Sequence, residues 1–439
     1  MAALQRAITL FGLVMIAVGS SIGSGIFVTP YEVVQAVPHH GFVLLVWTLG
    51  GLIALTGALT FAELGGLFPR SGGVYVFLKE SFGELTGFLY GWIILLVINT
   101  GALAALSMAL AEYLTYFIPM QQTGKLTVAI GAIAGLTLIN IRGVSVSQWL
   151  ATVFTGLKLA AMAAIILAGI FYFFKHPQPL QFNLTNQVPD AWPTAMLTAL
   201  IGVLWSFGGW HHASYVAGET IDPQRTVPRA MMLGALIVTI VYVLINLSYM
   251  MLLPLDAIAG TTRVAGEAVA VLIPSGGQLV AVAIAISIFG TIAIYTMSAP
   301  RIYFAMAEDG LFFKSLSKVH SRFHTPANAM IIQAVWAILL LLFWGTFSNL
   351  ITYVTFMDIA FMALAGASVF IFRRKIPDAP RSYKVWAYPL VPLVFVAISG
   401  AFVINTLIER PTQAIAGLLV MVLGIGAFYL FKNRRDRIS

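Results

Sequence analysis

Two apolar stretches of this chain are interrupted by glycine, which a lipid bilayer tolerates only under narrow conditions. The first carries Gly19, Gly23 and Gly25 in the run GSSIGSGIFVTP, which ends at Pro30. The second carries Gly208 and Gly209 in WSFGGWHH, from Trp205 to His212. In hydrocarbon an unpaired backbone N–H or C=O is costly, so a spanning helix breaks only where protein or water satisfies the freed groups. A pair of broken spans, one in each half of the chain, points to a transporter with its site near the bilayer midplane.

Composition makes the bilayer the setting. The 439 residues are 60% hydrophobic and 9% charged, against about 25% charged in a soluble domain. Apolar stretches of about 20 residues predict an all-α membrane protein of about twelve spans, near 9–30, 42–68, 85–118, 126–141, 149–174, 194–217, 230–254, 278–307, 327–347, 350–372, 388–408 and 412–431. Strand-like alternation is absent, which excludes a membrane barrel. The start, MAALQRAITL, imitates a signal peptide, but its apolar stretch continues into the glycine run and is read as the first span. With no cysteine, a disulfide, a thiolate metal site and a cysteine nucleophile are all impossible.

The basic residues test this division. With both termini cytoplasmic, Lys125, Lys175, Arg263 and Arg410 fall outside and Lys158 falls within a span. Every other Lys and Arg falls inside, the asymmetry expected of a multi-pass protein. It accounts for the net charge of +8 without a nucleic-acid footprint, which would need a clustered soluble surface. No linker divides the chain, so residues 1–439 read as one transporter domain. The broken spans are the first and the sixth. Two five-span repeats follow, about 9–174 and 194–372, with extra helices about 388–408 and 412–431. Five is odd, so the second repeat is inverted relative to the first, with substrate held between them.

The breaks supply the chemistry. Ser24 and Gly25 open a new half-helix whose free N–H groups attract an anion. Gly23 and Gly25 allow close approach to the backbone, and the Ser24 hydroxyl adds a donor. Before the break, the carbonyls of Ser21 and Ile22 lose their helical partners and suit an ammonium. The second break exposes carbonyls of Trp205, Ser206 or Gly208 in the same way. Together these read as a receptor for the α-carboxyl and α-amino groups of an amino acid; the alternative is close helix packing through small residues. Lys158 is the one basic residue in mid-span, a functional hypothesis by default. Its ammonium takes the place of a bound metal ion, with snorkelling to an interface as the alternative.

Several runs carry a likeness over essentially the whole chain. They are VGSSIGSGIFVTP from Val18, Ala62-Glu63-Leu64 with Pro69-Arg70-Ser71-Gly72-Gly73, and FGGW from Phe207. Asp222-Pro223 with Val227-Pro228-Arg229-Ala230, and RIYFAMAEDG from Arg301 before Thr325-Pro326, complete the set. In this order they resemble the amino acid–polyamine–organocation superfamily, and within it the L-amino-acid transporter family with its bacterial serine/threonine-type exchangers.

The resemblance implies a LeuT-like five-plus-five inverted repeat and sodium-independent exchange of small neutral L-amino acids across the cytoplasmic membrane, without cofactor or metal. It implies that Ser24 and Gly25 hold the carboxylate, that carbonyls at Ser21, Trp205 and Gly208 hold the amine, and that Trp205, where relatives have phenylalanine, is the outer gate. His211 stands where relatives often carry asparagine, a change expected to touch selectivity or pH response. Lys158 falls at the sodium site of sodium-driven cousins, with carbonyls near Ser21–Gly23 and Tyr295 of the eighth span as expected partners. Animal relatives join a heavy subunit through a cysteine between the third and fourth spans. Gln121, Gln122 and Thr123 stand there instead, so the chain is expected to work without a disulfide-linked subunit.

Proton-coupled symport and cationic amino acid or polyamine antiport are the alternatives; the latter calls for acidic residues in the pocket, and none lies beside either break. HExxH, GxSxG and P-loop patterns are absent, as is a filter-like segment, which disfavours an enzyme, an ATP-driven pump and a channel. Of the remaining polar residues, Glu63 and Glu219 read as interfacial or structurally paired residues rather than inner-gate ion pairs with nearby arginines. Asp358 and Glu112 read as buried hydrogen-bonding groups rather than proton relays. Asn99 reads equally as pocket lining or as an interhelical contact.

Overall fold

The computed structural model describes residues 3–177, 179–183, 192–343, 347–409 and 411–436. Residues 178 and 184–191 of the expected outer loop, together with Arg410 and Arg437, lie outside the described residues. Helices dominate, and among the described residues the only strand-like pairing is an isolated parallel bridge between Ile8 and Thr220.

The first stretch forms α1 (Leu10–Ser21) and α2 (Gly25–Ala36), bent by 44° at the glycine run. Next come α3 (His40–Leu67), α4 (Val74–Phe82), α5 (Glu84–Ile93), a π-helical turn at Ile94–Ile98, and α6 (Asn99–Leu114). They are followed by α7 (Gln122–Ile141), α8 (Val144–Lys175), α9 (Trp192–Ser206), α10 (His212–Tyr215) and α11 (Pro223–Leu252). The remainder are α12 (Leu255–Ala259), α13 (Val264–Ala270), α14 (Gly276–Ser298), α15 (Pro300–Glu308), α16 (Ala327–Phe343), α17 (Phe347–Lys375), α18 (Leu390–Glu409) and α19 (Pro411–Asp436). Among the described residues eight helical segments are long and apolar enough to cross a membrane, or nine if the bent α1–α2 pair is one span. α9 and α16 are shorter apolar helices.

Burial sorts these helices. In the α5–α6 segment 89% of the most apolar stretch is buried, against 22% in α8 and 17% in α19. The first therefore stands in the protein interior, whereas α8 and α19 turn most of their apolar surface outward, as lipid-facing helices do. α11 packs along α3, α1 and α8, and α14 packs against α1, α6, α7 and α8. These helices enclose α1, whose residues from Gly12 to Ser21 are all buried.

Two features differ notably from expectation. The first span was expected to end at Pro30, but α2 continues through it to Ala36. Contacts with α12 and α13 hold this extension, and Gln35 Nε2 donates to Ala259 O at 3.0 Å, so tertiary packing outweighs the hydrogen bond that proline removes. The third span contains the π turn, which nothing in its unbroken apolar sequence announces.

At one end of the bundle the charged residues are paired. Glu63 takes both Nε and Nη2 of Arg373 at 2.7 Å, lies 3.1 Å from Arg381 Nε, and accepts the Val385 N–H at 2.8 Å. Asp309 Oδ2 accepts from Lys79 and from the Tyr75 hydroxyl, each at 2.6 Å. Burial and the neighbouring Asp309 carboxylate both push the Tyr75 hydroxyl's pKa above its usual value. Glu63 is thus paired with arginines, and Glu219 is held by Arg301.

Candidate functional site

The last four carbonyls of a helix lack intrahelical partners, and several at the end of α1 find partners on other elements. Lys158 Nζ donates to Gly19 O, Ile22 O and Thr291 Oγ1, each at 2.7 Å. An ammonium has three donors, and all three are used. Ser21 O accepts the Gly23 N–H and the Tyr242 hydroxyl, each at 3.0 Å. Ser20 O lies against Gly209, where an added Cβ would come within 2.5 Å of it.

Two sequence expectations change here. Ile22 was expected to face substrate, but its carbonyl goes to Lys158 and its side chain is buried away from the cavity. Tyr295 was expected to meet Lys158, but Thr291, one helical turn earlier on α14, does so. Tyr295 instead stacks on His212 with ring centroids 4.3 Å apart. Lys158 is only 2% exposed, which excludes snorkelling.

The second break faces the first. α9 stops at Ser206, and Phe207–His211 form turns before α10. Gly209 adopts φ +113°, a conformation that favours glycine, and its closeness to Ser20 leaves no room for a side chain. The Ser20 hydroxyl donates toward Gly209 O (2.8 Å) and Ile16 O (2.7 Å). Tyr242, on α11, shares its hydroxyl between Ser21 O (3.0 Å) and Ser206 O (3.1 Å), tying the two interruptions together. Thr29 Oγ1 and Ser206 Oγ are 3.0 Å apart.

Between the breaks lies a cavity of about 100 Å³. A single water needs about 10–15 Å³ on such a measure, so a ligand of several heavy atoms fits. Ser21, Gly23, Ser24, Gly25, Trp205, Ser206, Gly208, His211 and Tyr295 all line it, as does Asn99. Ile22 and Lys158 do not. Sequence reading missed Ser20, Gly209, His212, Tyr215, Thr291 and Asp358, and the apolar wall of Ile94, Ile98, Leu106 and Ile359. Asn99 serves both roles considered for it, since its Nδ2 also reaches Gln333 Oε1 (3.0 Å) and Tyr295 O (3.4 Å). Glu112 is no buried group: it is largely exposed and pairs with Lys125 at 2.6 Å.

The two glycines beside Ser24 differ in purpose. A Cβ on Gly23 would meet only Leu106 Cδ2, at 3.8 Å, so the cavity side of Gly23 is open. A Cβ on Gly25 would come 2.6 Å from Ser206 Oγ and 2.8 Å from Trp205 Cζ3. Gly25 is therefore small because the second break packs on it, while it also lines the cavity. Ser24 precedes α2 with its hydroxyl buried and without a hydrogen-bond partner. Among the described residues no group of three or more His, Asp or Glu side chains could hold a metal ion.

A model of the family described as "Amino acid permease" matches residues 8–429. The chain is 31% identical to the serine/threonine exchanger SteT of Bacillus subtilis, over 98% of each chain. It is 32% identical to the human large neutral amino acids transporter small subunit 2, over 98% of this chain and 81% of the relative. It is 30% identical to the human cystine/glutamate transporter, over 98% and 85% respectively. These relatives are transporters rather than enzymes, and with a family match spanning nearly the whole chain, both glycine breaks included, the protein belongs to the amino acid permease family of membrane transporters.

Proposed function

We propose that this chain is a sodium-independent exchanger of small neutral L-amino acids, working by alternating access in the cell membrane with both termini cytoplasmic. In this reading α9 with α10, α16 and α17 complete twelve spans. The spans form a LeuT-like pair of inverted repeats, with α18 and α19 as the extra helices. The observation that carries the reading is the unpartnered Ser24 hydroxyl at the head of α2, in a cavity built from two facing breaks. A buried polar group left unmatched by protein calls for another partner, and a hydroxyl beside the free N–H groups of a helix start suits a carboxylate. The substrate amine takes carbonyls of Ser21, Trp205 and Gly208, Trp205 closes over the substrate, and His211 forms part of the side-chain wall. A cavity of about 100 Å³ favours small side chains. Lys158, with all its donors satisfied by α1 and α14, stands in for a coupling cation.

The test is counterflow in liposomes containing the purified single chain, with labelled serine or alanine outside and unlabelled amino acid inside. Uptake should require internal amino acid and ignore sodium. Uptake that ignores internal substrate but follows a proton gradient would replace exchange by symport. Without cysteine no disulfide-linked subunit is possible, and activity of the chain alone is expected.

Two variants probe the cradle. Ser24→Ala removes one hydrogen bond to a charged group, worth about 1.5–3 kcal/mol. The half-saturating substrate concentration should rise roughly 10- to 100-fold, and an unchanged value would remove Ser24 from the site. Gly25→Val should abolish counterflow while the protein still inserts, because its side chain drives the two breaks apart. Normal counterflow by that variant would contradict their packing.

A further inference from the structure

One charged side chain of the cavity has no use in the scheme above. Asp358, on α17, lines the cavity with Ser24, His211 and Tyr215, and its Oδ1 is buried without a hydrogen-bond partner. Among the described residues no lysine or arginine lines the cavity. A buried carboxyl oxygen left in this state is costly, and no donor among the described residues reaches it. The Tyr90 and Tyr215 hydroxyls bond each other at 2.6 Å. His212 Nδ1 pairs with Ser298 Oγ at 2.6 Å. The Asn99 amide is directed at Gln333 and the Tyr295 carbonyl. Ile94, Ile98 and Ile359 add an aliphatic part to the cavity wall. A ligand in the cavity can supply the missing donor.

We propose that Asp358 reads the substrate side chain, accepting a hydrogen bond from a short side chain that carries a hydroxyl. This rests on the amino acid exchange proposed above and adds the side-chain class. An ammonium or guanidinium would satisfy the same oxygen, but a cavity of about 100 Å³ favours the shorter donor. An aliphatic side chain of equal size leaves the carboxylate unmatched, which is how a polar site rejects an isostere lacking its donor.

Threonine and valine are near-isosteres that differ in this donor. Competition by each against labelled alanine in counterflow should show threonine preferred by about tenfold or more. In Asp358→Leu the preference should vanish, with valine inhibiting within about threefold of its wild-type potency. Asp358→Asn, which keeps a carbonyl acceptor in place, should retain part of the preference. The wild-type ratio needs no variant to fold, so a wild type that exchanges alanine but does not distinguish threonine from valine overturns the inference and leaves the exchanger reading intact. Equal loss of both inhibitors in Asp358→Leu would assign the carboxylate to the α-amine and overturn it too. A wild type that exchanges none of the twenty amino acids would remove the exchanger reading itself, and this inference with it.

Discussion

Lys158→Ala should reduce counterflow on the order of a hundredfold or more while the protein remains inserted and folded. The side chain removed is the donor to Gly19 O and Ile22 O, two of the carbonyls that end α1, and to Thr291 on α14. Hydrogen bonds to a charged group are worth about 1.5–3 kcal/mol each, and about 1.4 kcal/mol is a factor of ten. Thr291 Oγ1 lies 3.2 Å from Gly19 O and 3.1 Å from Ile22 O and can donate to only one, and the Ser287 hydroxyl reaches Ile22 O only at 3.4 Å, so the charged donor is replaced by weaker neutral ones. The helix end that shapes the cavity is then held less firmly to α14. The surrounding bundle, by contrast, is held by α3, α11 and α1 packing that the substitution does not touch. Counterflow rate and melting temperature measured on the same preparation separate the two effects. A rate equal to wild type would remove Lys158 from the mechanism. A rate that falls only in step with the folded fraction would make its role purely structural.

What the sequence made legible divides along physical lines. The two breaks could be read because glycine weakens a helix at the very place where lipid most requires one, and the structure puts both stretches outside regular helix and against each other. Lys158 could be read because a lone charge in mid-span is costly wherever it points. Which residue it meets was not legible. Thr291 and Tyr295 sit one turn apart on α14, on one face of a helix apolar all round, so only packing sets which of them stands level with the ammonium. The same limit hid Asp358, whose position on α17 was evident but whose facing was not. Ile94 and Ile98 gave no sign at all, because aliphatic residues lining a cavity and aliphatic residues packed in a core have the same composition. Gly25 was legible as a close approach, but not that Ser206 and Trp205 are among the groups that approach it.

Arg301→Met should destabilise the protein by about 3–5 kcal/mol, the cost of leaving one member of a buried ion pair uncompensated. Arg301 Nε and Nη2 hold Glu219 Oε2 and Oε1 at 2.6 and 2.8 Å, and both side chains are fully buried. A third guanidinium nitrogen donates to Met297 O. Arg301 stands at the start of α15, whereas Glu219 follows α10, so the pair ties the continuation of the second break to the end of α14. Glu219 O also accepts the N–H groups of Ala7 and Ile8 at 2.9 Å, which fastens the segment before α1 to the same point. Arg301→Met should therefore lower the apparent melting temperature by roughly 5 °C or more. Glu219→Gln combined with Arg301→Met should recover most of that loss, because the uncompensated charge is then gone. If the double variant is as unstable as Arg301→Met, the penalty lies in the lost Met297 contact and lost packing rather than in a stranded carboxylate. Equal melting temperatures for Arg301→Met and wild type would mean that the pair is not held in the folded protein. The counterflow rate of the double variant then isolates function from stability. A molecule that is stable again but exchanges slowly would identify the Glu219–Arg301 tie as part of the moving element, whereas wild-type exchange would confine it to holding the fold.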